Sequence, residues 1–293
     1  MAVTALYRYP VKSMLGERLE RCRIDERGVP GDRAYALVDV ETGTVATAKV
    51  PRRWGALLGF SARCVGEPNG EPPPVEITFP DGSVHHSDDE DIDAALSAAI
   101  GREVRLTATP PEGAAFEEVW PDIDGLAPEA VIAGTRVRDE DTGEPVSRFD
   151  LAAMAPQPAF FDLAVLHVIT TATLRRLREL APGATFDERR YRPNVVLDGG
   201  AADGGADFVE NGWVGREIAF AGGATATVSI PTMRCVMTTL AQGDLPRDPD
   251  TLRIVAKHNR VEIPGLGTWA CAGAYADVTS PGELAVGAPY QVR

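Results

Sequence analysis

Ala34-Tyr35-Ala36-Leu37-Val38-Asp39-Val40-Glu41-Thr42-Gly43-Thr44-Val45-Ala46-Thr47-Ala48-Lys49 decides the fold class. Two runs of apolar and β-branched residues, 34–38 and 45–49, flank Glu41-Thr42-Gly43, with glycine where a tight turn needs a positive φ. This reads as a β-hairpin. The pattern continues outward. Residues 5–9 and 19–24 read as earlier strands, and residues 75–79 as a later one that enters Pro80-Asp81-Gly82-Ser83. In that turn the proline sets φ and the glycine admits the left-handed position. Short strands at this spacing predict a small barrel or sandwich for the first third of the chain.

Helices are few. Asp88 to Asp91 supplies negative charge for a helix start, with Ile92, Leu96 and Ile100 on one face and Gly101 as the stop. From 107 to 158 proline, glycine and acidic residues dominate and periodicity fails, which predicts a connection draped over the surface. A second ordered block starts near Phe160. It holds a strand at 165–169, then a helix capped by Thr170 or Thr171 that carries Leu174, Leu177 and Leu180. Strands at 194–197, 217–220 and 225–230 follow. A helix begins at 248–250, with Leu252, Val255 and Ala256 inward. Residues 275–278 and 284–292, around Pro281-Gly282, read as a closing hairpin. The expected class is β-rich α+β with a few packing helices. The expected division is an N-terminal domain at 1–120, a connecting segment at 121–158 and a second domain at 159–293.

Composition narrows the function. The 293 residues carry 29 Lys+Arg against 43 Asp+Glu, a formal charge of −14. That argues against a nucleic-acid partner, which would need a basic face, but leaves room for one anionic ligand in a locally basic pocket. The four cysteines, at 22, 64, 235 and 271, form no C-x-x-C pair, so a reduced, cytoplasmic compartment is expected. No leader-like apolar run follows the N-terminus, and no apolar stretch reaches the ~20 residues that span a bilayer, so no membrane partner is expected. Only Lys12, Lys49 and Lys257 are lysines. Arginine clusters in so arginine-biased a chain say little, whereas a lysine says more.

Three segments could carry chemistry. In Ile230-Pro231-Thr232-Met233-Arg234-Cys235 a strand runs through a proline to a cysteine beside an arginine. A neighbouring guanidinium favours the thiolate, the form that attacks electrophiles or ligates metals. A buried, inert cysteine is the competing reading. In Arg192-Pro193-Asn194-Val195-Val196, Arg192 and Asn194 share one face of a strand. An arginine fork suits phosphate and an asparagine amide can read a ring edge, unless this is a solvated basic turn. Tyr9-Pro10-Val11-Lys12-Ser13, with Gly31-Asp32-Arg33, offers a cation, a hydroxyl and free backbone N–H groups, also suited to phosphate. The histidines form no site, and His167 reads as a hydrogen-bonded core residue. No H-E-x-x-H, G-x-S-x-G, Walker A or Rossmann motif is present.

In this order and spacing, with Thr238-Thr239 and the terminal Pro281-Gly282-Glu283-Leu284-Ala285-Val286-Gly287, the segments resemble a MOSC-domain protein with its N-terminal β-barrel domain. By architecture they resemble the mitochondrial amidoxime-reducing components and their bacterial counterparts. The resemblance implies a MOSC β-barrel domain at 159–293 that binds the molybdenum cofactor (Mo-molybdopterin). It implies Cys235 as the thiolate ligand to molybdenum and the catalytic residue. It implies Lys12, Ser13, Arg33, Arg192, Asn194, Arg234 and Asp162 as residues that hold the cofactor. Leu163, Ala164 and Met233 depart from the pattern by being apolar where hydroxyl residues are common. Pyridoxal phosphate binding is left undecided. With no ferredoxin-like domain following and no desulfurase domain preceding, an external electron-transfer protein of the ferredoxin or flavoprotein reductase type is expected as partner. The expected function is an oxidoreductase that reduces a small N-hydroxylated or related N-/S-oxygenated substrate. The alternatives are a carrier of cofactor or sulfur without redox turnover, and a metal-independent thiol enzyme.

Overall fold

The computed structural model describes residues 1–68, 72–135, 137–138, 143–151, 159–199 and 207–293. It is β-rich with few helices. Its main sheet runs, edge to edge, through Tyr290–Val292, Glu217–Phe220, Thr225–Met233, Gly267–Ser280, Leu166–Thr170, Val195–Leu197, Val3–Arg8 and Glu17–Leu19, with Arg260–Ile263 also paired to Gly267–Ser280. Strand alternation splits the buried residues between the two faces. Leu6, Val168, Val195 and Ala274 pack in one core, while Ala5, Ile169, Val196 and Ala272 pack in another. The first strand of the chain therefore completes a sheet built mostly from its C-terminal half. A third core, around Met14, Trp54, Phe60 and Leu96, belongs to the N-terminal region.

Local signals explain the element boundaries. Leu166–Thr170 and Val195–Leu197 pair in parallel, which requires a crossover. Helix Thr171–Leu180 lies on that crossover, and the Thr170 side chain accepts from Thr173 N at 3.1 Å to cap it. Helix Ile92–Ile100 ends at Gly101 in the left-handed conformation, φ 79°. Helix Asp250–His258 buries Leu252, Val255 and Ala256. Gly82 and Gly43 take positive φ at the two predicted turns.

Three expectations change. The hairpin after Gly43 is present but short: Asp39 N donates to Thr44 O and Ala46 N to Leu37 O, with Val38 bridged to Val45, and Ala36–Asp39 takes Val104–Thr107 as its ladder partner on the other side. The second arm also bridges Phe116 through Val45 and runs on to Lys49, whose carbonyl accepts from Val119 N. Within 107–158, where composition hides periodicity, Ala115–Val119, Pro145–Asp150 and Val137–Arg138 form a three-stranded sheet. Ala115, Phe116, Val119 and Val146 are its buried apolar residues among those described, set among charged neighbours. The closing hairpin does not pair with itself: Gly282–Ala285 pairs with Arg21–Ile24, and Tyr290–Val292 with Glu217–Phe220. Gly282 packs so tightly on the Ala224 backbone that a Cβ would lie 2.3 Å from Ala224 N, which steers the chain away from a simple return. Among the described residues no helix is long and apolar enough to cross a membrane.

Candidate functional site

One cavity gathers all eight residues singled out by resemblance: Lys12, Ser13, Arg33, Asp162, Arg192, Asn194, Arg234 and Cys235. It encloses about 760 Å³ of space, its open mouth included. Lys49 and Arg190 also line it, so six cationic side chains face one lining carboxylate. Among the described residues four non-glycine positions have positive φ, and Ser13 (65°), Arg33 (48°) and Arg192 (53°), three of the four, line this cavity. Such backbone costs about 1–3 kcal/mol per residue and persists only where the surroundings impose it. Arg192 thus caps a short 3₁₀ turn, Glu188–Tyr191, instead of sitting in the strand. The expected shared strand face for Arg192 and Asn194 is corrected accordingly: a left-handed kink brings both to the cavity.

The cations fall into two groups. Arg33 and Arg192 lie over the Tyr9 ring, with guanidinium carbons 4.5 and 4.2 Å from its centroid. Arg33 Nη1 donates to both oxygens of Asp32, at 2.7 and 2.6 Å. Arg192 Nη1 donates to Met14 O at 2.7 Å, while its Nε and Nη2 meet no protein acceptor among the described residues. Burial and then Arg33 push the Arg192 guanidinium down to about 10. An anion between these arginines would relieve that repulsion. In the second group, Lys12 Nζ donates to Asp162 and, at 2.9 Å, to Phe160 O. Lys49 Nζ reaches Glu118 at 2.9 Å and Asp162 at 3.2 Å. Burial opposes the charge of both lysines and drives Lys12 down, whereas Asp162 and Glu118 together hold Lys49 well above its ordinary value. Against its own desolvation, Asp162 is held below the usual carboxylate range by Lys12 and Lys49.

Cys235 sits at the end of strand Thr225–Met233, just before a short 3₁₀ turn, Val236–Thr239. Register shifts between Val228 and Ile230 and between Pro231 and Met233 re-aim that strand, as bulges do beside active sites. Opposite it, Gly273 has φ 79°, and a Cβ there would lie 2.5 Å from Val168 O and 2.6 Å from His167 Nε2. Burial raises the Cys235 thiol to about 11, Glu118 adds to the rise, and Lys49 opposes it. Arg234 and the Cys235 thiolate do attract each other, but Arg234 is not among the largest influences on the thiol. Lys49 is the cation that most opposes the rise of the thiol, while the Arg234 guanidinium turns into the fold.

Arg234 spends four of its five N–H groups on the protein. Nε and Nη2 donate to Ala272 O, Nη1 to Tyr191 O at 3.0 Å, and Nη2 also to His167 Nε2. Because a guanidinium only donates, His167 Nε2 accepts and the ring is neutral with its proton on Nδ1. Burial and then Arg234 keep its pKa well below the ordinary value. The core reading of His167 agrees with this geometry. Asn194 is similarly committed. Its amide nitrogen donates to Asp32 at 2.9 Å and Tyr7 O at 3.4 Å, and its oxygen accepts from His167 N at 3.1 Å. The expected ring-edge reading by the Asn194 amide is corrected: its donors clasp strands together. Arg190 likewise donates to Thr185 O, Thr238 O, Leu240 O and Pro246 O. Arg190, Asn194 and Arg234 hold the walls in place, while Lys12, Ser13, Arg33, Arg192 and Cys235 are the groups positioned to meet a ligand.

Sequence reasoning missed Lys49 and Tyr275 as parts of this site, and gave Tyr9 no role within the segment it opens. Lys49 had a signal, being one of three lysines in an arginine-biased chain. Tyr275 sits in an ordinary strand context and had none. The apolar departures Leu163, Ala164 and Met233 all line the cavity.

Comparison with known proteins bears on this geometry. Residues 1–57 match the model for the MOSC N-terminal beta barrel domain, and residues 157–291 match the model for the MOSC domain. Among solved structures, the YUAD protein from Bacillus subtilis aligns over 99% of this chain and 94% of its own, with a TM-score of 0.45 and 11% identity. No curated protein sequence matches the chain significantly.

Proposed function

Because the chain belongs to the MOSC-domain family, with the family's N-terminal β-barrel domain, we propose that it holds a molybdenum cofactor at Cys235 and reduces small N-hydroxylated or related N-/S-oxygenated substrates. The MOSC domain is associated with molybdenum cofactor binding; the redox role is our reading. One observation carries it: a single thiol lies in a cavity whose lining has six cationic side chains and one carboxylate.

The residues present fit such a group. A thiolate is a soft donor suited to this kind of metal centre. Arg192 has unspent N–H groups beside Arg33, as an anionic, phosphate-bearing ligand requires. When bound, the cofactor supplies two-electron redox chemistry. Cys235 would lose its proton on ligation, so binding is coupled to proton release. Arg33 and Arg192, braced on Tyr9, would orient the anionic end. Lys12 and Lys49, sharing Asp162, form the proton-holding side of the cavity; burial makes the Lys12 ammonium the readier donor. Reduction of an N–OH group to N–H consumes two electrons and two protons and releases water. The electrons would come from an external electron-transfer protein and the protons through this lysine–carboxylate pair.

The test is steady-state reduction of benzamidoxime by chemically reduced viologen, with native protein and Cys235→Ser. Turnover by the native protein that falls at least a hundredfold in the variant is expected. Absence of turnover, together with transfer of cofactor to an apo-enzyme, would overturn the redox reading in favour of a carrier. Undiminished turnover by Cys235→Ser would remove Cys235 from the reaction.

A further inference from the structure

A second cavity opens beside the first, and the two share Lys49, Asp162, Leu163, Met233, Arg234 and Tyr275. It encloses about 1030 Å³, mouth included, enough for a small organic ligand. Its chemistry is unlike that of the cationic cavity. Phe116, Trp120, Phe149, Trp269 and Tyr275 supply aromatic walls, Glu118 and Asp150 also line it, and Leu266, 47% exposed at a hairpin tip, stands at the rim.

We propose that this groove binds the flat aromatic part of an aryl substrate, whose polar head is thereby directed at the Cys235 cavity. The inference rests on the reading of that cavity as a reducing centre.

Three features support it. Both indole N–H groups are already spent: Trp120 Nε1 donates to Ser147 Oγ and Trp269 Nε1 to Leu266 O, each at 2.8 Å. The two tryptophans therefore offer only ring faces and edges, and select by shape and stacking. The rings also brace one another. Trp120 and Trp269 have centroids 5.7 Å apart at 52°, Trp120 and Phe149 lie 6.4 Å apart at 87°, and Phe116 and Phe149 5.7 Å apart at 37°. A wall fixed in this way loses little freedom when a ring enters. Finally, polarity is graded along the groove. Lys49 Nζ sits 4.6 Å from the centroid of Phe116 and is paired with Glu118 and Asp162. Leu163 and Met233 flank the shared passage. A ligand with one aryl end and one hydrogen-bonding end matches that gradient, whereas a uniformly polar one would leave the aromatic half wet.

The experiment is isothermal titration of the purified full chain with benzamidoxime and with acetamidoxime, which has the same head and no ring. Turnover is measured on the same preparations. Benzamidoxime is expected to bind at least tenfold tighter. Phe149→Ala and Leu266→Asp are each expected to reduce that ratio severalfold. Leu266 is exposed, so its replacement tests the groove even if Phe149→Ala unfolds the protein. Equal affinities in the native chain, or a ratio that neither variant changes, would overturn the proposal. Turnover without aryl preference would sink the groove and leave the reducing centre standing. Aryl-selective binding without turnover would do the reverse.

Discussion

Asp162→Asn isolates what the shared carboxylate does. The substitution keeps the shape and removes one negative charge from between two buried ammoniums. Lys49 retains Glu118 at 2.9 Å, but Lys12 is left with only the Phe160 carbonyl. Breaking a wholly buried ion pair costs roughly 3–5 kcal/mol. The Asp162 side chain is 33% exposed, so solvent screening reduces the expected loss to about 2–3 kcal/mol. At roughly 2–4 °C per kcal/mol for a chain of this size, the melting temperature of cofactor-free protein should drop by about 5–10 °C. The pH dependence follows from the depressed carboxyl. The stabilisation is fully present above the unfolded carboxylate value, about pH 4, and is lost as pH falls further toward the folded value. The native–variant difference should therefore stay constant from pH 7 to about pH 4.5 and close below that. Millimolar phosphate should restore part of the loss, because Lys12 then lacks its counter-ion. Calorimetric unfolding with and without phosphate measures all of this. A variant as stable as the native protein at pH 7, or a difference that grows on acidification, would refute the assignment of Asp162 as the counter-ion of Lys12 and Lys49.

Other expectations follow from the same geometry. In metal-free protein, a Cys235 thiol near 11 holds about one thiolate in a thousand at pH 8, so alkylation should be about twentyfold slower than for an ordinary cysteine after allowing for its greater intrinsic nucleophilicity; mass-spectrometric rates of iodoacetamide labelling check this, and rapid labelling would contradict the burial. Gly273→Ala forces a Cβ into the Val168 carbonyl at positive φ, and should cost more than about 2 kcal/mol in denaturant unfolding. Thr170→Ala removes the cap of helix Thr171–Leu180 and should cost about 1 kcal/mol in the same measurement.

Capping and turn chemistry were the most legible parts of the fold. Thr170, Gly82 and Gly101 act locally, and each does in space what its neighbours in sequence imply. Pairing partners were less legible, because a strand's own pattern says which face is buried and not which strand lies beside it. The segment at 282–292 reads as half of a hairpin, yet its two strands pair with partners far away in the chain. Strand Pro145–Asp150 was hidden because Arg148 and Asp150 alternate with its packing residues. In the site, the segments around Lys12, Arg33, Arg192 and Cys235 converge on one cavity although each alone was ambiguous. What stayed illegible was the division of labour. How many N–H groups an arginine spends on the fold depends on where distant backbone lies: Arg234 spends four and Arg192 one. Leu163 and Met233 likewise gained meaning only when Trp120, Phe149 and Trp269 proved to be their neighbours.

Molybdenum quantification on natively purified protein and on Cys235→Ser, each with extraction of the bound pterin, tests the central claim most directly. Near one molybdenum and one pterin per chain is expected for the native protein, with loss of most of the metal in the variant. Metal-free native protein that turns over substrate, or full molybdenum occupancy in Cys235→Ser, would contradict the assignment of Cys235 as the ligand that holds the cofactor.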